Sequence, residues 1–257
     1  MGTALVTGAT SGIGLELAWQ LATSRHRLVL VARSADRLEK VAHQIRSAAA
    51  VKVEVLPADL STRAGRDAVV DRIRQAHRPV GLLVNNAGFG LGQHLLDGEL
   101  AREEEALEVM VRAVLVLSKA AAEAMVARGR GAILNVSSMS AFTAMGTYAA
   151  HKAWVLTFTE ALAGELSGTG VTATALCPGL VRTEFHQRSG VDADAWPDAG
   201  WIDVERVAAA GLAAVRRGQV VVTPSLRYTA LAAGLRLAPR RLVRAVAGPR
   251  VSSRAMR

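Results

Sequence analysis

Short apolar runs alternate with helix-period segments along most of this chain, and that alternation restricts the fold more than any other feature. "TALVT" (3–7), "RLVLVA" (27–32), "KVEVLPADL" (52–60), "VGLLVNNAG" (80–88), "GAILNVSS" (131–138), "VTATALCPG" (171–179) and "QVVVTP" (219–224) read as strands. Between them lie segments such as "SGIGLELAWQLAT", where Ile13, Leu17 and Leu21 recur at helical spacing, and "SADRLEKVAHQIRS", which Ser34 can cap. The strands are continuously apolar, the pattern of strands covered on both faces. The expected fold is α/β: a doubly wound parallel sheet of about seven strands with helices on both sides. Residues 1–225 are expected to form one domain, with a lid at about 184–205 and a C-terminal extension over 226–257.

The net charge of +9 is unevenly placed. From Arg206 to Arg257 there are 11 Arg and no Asp or Glu, so the rest carries 9 − 11 = −2. The basic character belongs to the tail, and a nucleic-acid-binding body is not expected. No apolar run is long enough for a spanning helix, and the N-terminus lacks a basic n-region and a signal-type core. The single cysteine, Cys177, sits beside Pro178 and is read as a small packed apolar residue. A cytoplasmic location is expected, and no metal site.

The first strand passes into the first helix through "TGATSGIG" (7–14). Glycines at a strand–helix turn let the backbone approach a pyrophosphate, and the helix N-terminus offers N–H groups and positive potential. Gly8, Thr10, Ser11, Gly12, Ile13 and Gly14 are therefore candidate dinucleotide ligands. At the end of the second strand, where an acidic residue would favour a free ribose 2′-hydroxyl, the chain reads Ala32-Arg33-Ser34. A guanidinium there suits a 2′-phosphate. NADP(H) is the preferred cofactor, with NAD(H) a second option.

"SMSAFTAMGTYAAHK" (138–152) holds Ser138, Tyr148 and Lys152. Tyr148 and Lys152 are four apart and share a helical face. Protonating an alkoxide after hydride transfer needs an acid, and a Tyr hydroxyl has an ordinary pKa of about 10. A unit charge ~4 Å away at an effective dielectric of ~20 is worth roughly 4 kcal/mol, or ~3 pKa units. Lys152 is therefore expected to bring Tyr148 towards neutrality.

Taken in order, "TGATSGIG" (7–14), "ADL" (58–60), "NNAG" (85–88), "NVSS" (135–138), "YAAHK" (148–152) and "PGLVRT" (178–183) resemble the motifs of the short-chain dehydrogenase/reductase family, in its basic branch. The resemblance covers about residues 3–185 and implies an NADP(H)-dependent oxidoreductase acting on a carbonyl or alcohol substrate, usually as a homo-oligomer. It implies that Asp59 and Leu60 meet the adenine, that Asn86, Ala87 and Gly88 shape the cofactor floor, and that Pro178, Gly179, Val181 and Thr183 flank the nicotinamide. Ser138 would position the substrate oxygen, Tyr148 would donate the proton, and Lys152 would also bind the nicotinamide ribose.

Two departures stand out. Met110 occupies the place where family members usually carry an Asn that helps hold a water of the proton relay; Met is only a weak acceptor. The ten-residue step from Ser138 to Tyr148 is shorter than usual, so one pocket wall is expected to be more open or differently shaped. A catalytically impaired NADP(H)-binding sensor or scaffold is the alternative function. Phe185, Trp196 and Trp201 either face an apolar substrate or pack under a long loop. The tail either lies on an anionic membrane surface or packs on the body or a partner subunit, and packing is favoured.

Overall fold

The computed structural model describes residues 2–183 and 198–248. Seven parallel strands form one sheet in the order β3-β2-β1-β4-β5-β6-β9. They are β1 (Thr3–Thr7), β2 (Arg27–Ala32), β3 (Val53–Pro57), β4 (Val80–Asn85), β5 (Gly131–Val136), β6 (Val171–Leu176) and β9 (Val221–Val222). Two short strands, β7 (Leu180–Val181) and β8 (Trp201–Ile202), pair with each other outside it. The expected doubly wound sheet is thus present, and its order reverses between β1 and β4, where such sheets bind ligands at the carboxyl ends of the strands.

The helices are α1 (Gly12–Thr23), α2 (Ala35–Ala49), α3 (Arg63–Arg74), α4 (Leu100–Leu107), α5 (Ala113–Val126), α6 (Gly146–Glu165), α7 (Val204–Arg216), α8 (Leu226–Leu237) and α9 (Arg240–Val246). One sheet face packs against α1, α2 and α7, where Leu17, Leu38, Ile45 and Leu212 meet Val6, Leu28, Leu30 and Leu134. The other packs against α3, α5 and α6, through Val69, Ile73, Leu117 and Leu162 on Leu5, Val29, Leu83 and Ile133. At roughly 1.5–3 kcal/mol for each fully buried large apolar side chain, these two layers supply the main driving force for the fold.

Three details differ from the expected elements. The long helix after the fourth strand is divided by a π-helical turn, Glu108–Arg112, between α4 and α5. The last sheet strand shrinks to two residues, because only Val221 and Val222 register against Ala175 and Leu176. α7 goes beyond the expected set, although Val207, Ala208, Gly211 and Leu212 bury one face at helical spacing. Of the expected lid, Phe185 and Trp196 lie outside the described residues. Trp201 belongs to β8, and the Arg182 guanidinium stands 4.9 Å from its ring centre.

Candidate functional site

The glycine turn is braced from β4. The Thr7 hydroxyl donates to the Val84 carbonyl at 3.2 Å and accepts from the Asn86 and Ala87 N–H groups at 3.0 and 3.1 Å. The Asn86 amide donates to the carbonyls of Thr7 and Gly8 at 3.1 and 3.3 Å. Gly8 and Gly12 have φ of +65° and +55°, where a side chain would be strained. Gly14 acts differently: a Cβ there would stand 2.3 Å from the Gly8 carbonyl oxygen, so its role is to let α1 approach the turn. Every other candidate residue from the sequence lines a single cleft of about 850 Å³; Gly14 alone stands behind it. Ser11, Gly12 and Ile13, at the positive N-terminal end of α1, line the cleft.

At the other end of the glycine turn lie Arg33, Ser34 and Arg37. The Ser34 hydroxyl accepts from the Arg37 N–H at 3.3 Å and caps α2, which puts a second guanidinium-bearing residue in the first turn. Arg33 is largely exposed and pairs with Glu105 at 3.2 Å. Asp59 accepts from the Ser61 N–H and hydroxyl at 2.9 and 2.7 Å. Burial works to raise the Asp59 carboxyl, but the Ser61 bonds and the Arg33 charge outweigh it and hold it below its ordinary value. Arg37 and Glu105 are cleft residues that the sequence motifs do not mark; the only available signal for Arg37 was a second basic residue just inside the helix after β2.

The catalytic candidates meet where β5 ends. Ser138 caps a 3₁₀ turn, Met139–Phe142, and its hydroxyl is hydrogen-bonded with Tyr148. Lys152 lies one turn along α6 and is buried; its ammonium donates to the Val136 carbonyl at 2.9 Å and stands 5.7 Å from the Tyr148 ring centre. The expected fall in the Tyr148 pKa does not occur. Burial raises the phenol well above its ordinary value, and the Ser138 bond opposes this only in part. The physical reason is desolvation, which disfavours the phenolate and the ammonium together. Lys152 is correspondingly pushed down to about 8, mainly by burial. In this arrangement Tyr148 holds its proton as an acid would.

Polar residues behind the site fix its position. The Asn85 amide donates to Asn135 and Ser118 at 2.9 and 3.0 Å, the Asn135 amide donates to Thr159 at 2.9 Å, and all four side chains are buried. This series of bonds ties β4, β5, α5 and α6 together beside the catalytic candidates. Ser137 adds a bond from its hydroxyl to the Lys152 carbonyl at 2.7 Å. Cys177 is buried among Met139, Phe142 and Leu156, and burial raises its thiol to about 12, consistent with a packing role. Met110, in the π turn, is buried. A Cβ on Gly88 would lie 3.3 Å from its sulfur and 3.6 Å from the Lys152 ammonium, so a side chain there would press on Met110 and make ordinary contact with Lys152.

The short step from Ser138 to Tyr148 does not leave its wall open. The C-terminal helices complete it: the Ala144 N–H donates to the Ala247 carbonyl at 2.9 Å, and Tyr228, Leu231, Leu235 and Val246 line the cleft. Tyr228 also accepts from the Leu180 N–H at 3.1 Å and donates to the Gly200 carbonyl at 2.8 Å.

A parallel sheet with a glycine turn at its switch point and a Ser, Tyr and Lys grouped beside it defines a dinucleotide-dependent oxidoreductase of the doubly wound type. The family model of the short chain dehydrogenases matches residues 2–194, and the chain belongs to that family. It is 39% identical over 189 residues to a galactitol 2-dehydrogenase (L-tagatose-forming) of Cereibacter sphaeroides, covering 71% of this chain and 72% of that protein. Among solved structures it is similar to a short-chain dehydrogenase from Sphingobium yanoikuyae in complex with NADPH. The TM-score is 0.84 at 35% identity, over 92% of this chain and 94% of that one. It is also similar to the bulky-bulky ketone specific alcohol dehydrogenase from Comamonas testosteroni, with a TM-score of 0.80 at 29% identity over 92% of each chain.

Proposed function

We propose that this chain is an NADP(H)-dependent oxidoreductase that interconverts an apolar ketone and its alcohol. One observation carries the reading: Ser138, Tyr148 and Lys152 line the same cleft as the glycine turn. The cleft fits a dinucleotide. Gly8 and Gly12 keep backbone where a side chain would be strained. Arg33 and Arg37 flank the position expected for a 2′-phosphate. The resemblance to an NADPH complex supports the same assignment.

When bound, a nicotinamide supplies or accepts the hydride. In the reducing direction the Ser138 hydroxyl holds the carbonyl oxygen, and the Tyr148 hydroxyl gives that oxygen its proton. The raised phenol pKa keeps this proton in place until negative charge develops on the substrate oxygen. Lys152, the only ammonium lining the cleft among the described residues, lies next to the phenol and stabilises the phenolate left behind.

The substrate end is lined by Met145, Leu180, Leu231, Leu235 and Val246, and no charged side chain lines it among the described residues. Ser140, Thr143 and Tyr228 also bring hydroxyls to the cleft, and its Leu and Val wall favours an apolar ketone with substantial groups on both sides of the carbonyl. The test is NADPH oxidation across a panel of apolar ketones, small ketones and ketoses, with Tyr148→Phe as control. Turnover of apolar ketones that the Tyr148→Phe variant lacks is expected. No turnover of any carbonyl despite NADPH binding would replace the enzyme reading with a cofactor-binding sensor.

A further inference from the structure

The outer face of α8 is apolar and exposed. Leu226, Ala230, Ala233 and Leu237 recur at helical spacing, and Leu226 and Leu237 are 87% and 88% exposed. The opposite face is already committed to the body, where Tyr228, Ala232 and Leu235 pack with Phe142, Leu156 and Cys177. A helix apolar on both sides normally has something to bury each side against. α9 repeats the arrangement on a smaller scale: Val243 is buried, while Leu242 and Val246, one turn apart, are exposed.

Charge decides between the available occupants. Arg227, Arg236, Arg240, Arg241 and Arg244 all lie on these two helices, and no Asp or Glu follows Glu205 anywhere in the chain. Arg236 reaches Glu160 on the body at 3.0 Å and crosses the Phe142 ring, which holds α8 in place. A second copy docking through the same stripe would bring like arginines together, because a two-fold interface repeats one surface on both sides. An anionic bilayer satisfies both features: leucines enter the headgroup–acyl boundary and guanidinium groups pair with phosphates. No helix among the described residues is long and apolar enough to cross a membrane, so the helices would lie in the surface.

We propose that α8 and α9 dock the protein on an anionic phospholipid bilayer. Leu231 and Val246 are half-exposed and also line the cleft, so the docking helices carry part of its wall. A carbonyl substrate dissolved in the bilayer would then reach Tyr148 without crossing water; this delivery rests on the redox reading, whereas the docking does not.

The test is flotation of the full chain with phosphatidylcholine vesicles and with vesicles containing about a third phosphatidylglycerol. Recovery on the anionic vesicles should exceed that on neutral ones by about tenfold or more, and should fall at high salt. The double variant Leu226→Ser with Leu237→Ser, and the triple variant Arg240→Gln, Arg241→Gln and Arg244→Gln, should each lose about tenfold of that recovery. Both should keep wild-type melting and wild-type NADPH oxidation with a small water-soluble ketone. Equal recovery on the two vesicle types, or no loss in either variant, overturns the proposal. So does a wild-type dimer that the leucine variant dissociates, since the stripe would then belong to a second copy. If ketone turnover is absent while flotation behaves as expected, the redox reading fails and the docking stands.

Discussion

The Tyr228 ring occupies the space that a side chain on Gly179 would need: a Cβ there would lie 2.1 Å from two ring carbons. Gly179 follows β6, on the segment that carries Val181 and Thr183 to the cleft, and Tyr228 belongs to C-terminal α8. Packing and the two Tyr228 hydroxyl bonds therefore lock the end of the chain onto the cofactor side of the site.

Gly179→Ala should push the ring aside and cost about 1–3 kcal/mol of stability, the usual penalty of overpacking. Tyr228→Phe keeps the ring and leaves the Leu180 N–H and the Gly200 carbonyl without their partner, for about 1–3 kcal/mol. Thermal melting with and without NADPH reads both. The KM for an apolar ketone should rise in each variant. Unchanged melting in both would show that the tail is not locked by this contact.

Cofactor choice should depend on the arginine pair at the start of α2. Replacing both Arg33 and Arg37 by Ala should weaken NADPH by about tenfold or more, as expected for lost charge-assisted hydrogen bonds, and leave NADH within about twofold. Glu105→Gln releases Arg33 from its carboxylate partner and should tighten NADPH modestly. Titration of nicotinamide fluorescence separates the two cofactors. An equal loss for NADPH and NADH would mean that the arginines act on the fold rather than on a 2′-phosphate.

Most of the sheet and the grouping of Ser138, Tyr148 and Lys152 in one cleft were legible because their signals are local. The glycine turn, the apolar runs and the Tyr148–Lys152 spacing each specify neighbouring backbone, and the fold places them as the spacing suggests. Tyr228 was not legible, because its meaning comes from contacts with Gly179, Leu180 and Gly200, which are distant in sequence. The wall supplied by the tail was hidden for the same reason: the pairing of Ala144 with Ala247 has no local signature. The direction of the Tyr148 shift is not legible in the sequence, because a charge at hydrogen-bonding range can be read from spacing, whereas desolvation depends on what the rest of the chain covers.

Met110 tests the proton path. It packs among Leu91, Ala106 and Val109 with its sulfur beside Gly88, close to the Lys152 ammonium. If the relay behind Lys152 is slowed by the missing side-chain amide, Met110→Asn should raise kcat in the reducing direction and shrink its solvent isotope effect. The same change should cost about 2–4 kcal/mol of stability, since it shrinks a buried side chain and buries an amide. Pre-steady-state NADPH oxidation and melting measure the two effects. A kcat at or below wild type would show that the relay does not depend on this side chain.

Lys152 links the site to stability. Its ordinary pKa of 10.5 falls to about 8 in the folded chain, chiefly through burial. Between those values the unfolded chain binds a proton that the folded chain does not, so this group makes stability rise with pH across that window. Below about pH 8 the folded protein carries the full cost of a buried ammonium, on the order of 3 kcal/mol. Lys152→Met removes that cost and leaves the Val136 carbonyl without its donor, a loss of about 1–3 kcal/mol. The variant should therefore be catalytically dead yet at least as stable as wild type at pH 7. Its stability relative to wild type should decline steadily from pH 8 to pH 10.5, because only wild type gains there. Denaturant unfolding at pH 7, 9 and 10.5 reads the difference. A difference that does not change with pH would mean that Lys152 is not destabilised by burial, and that its ammonium is held in the site by partners stronger than the Val136 carbonyl.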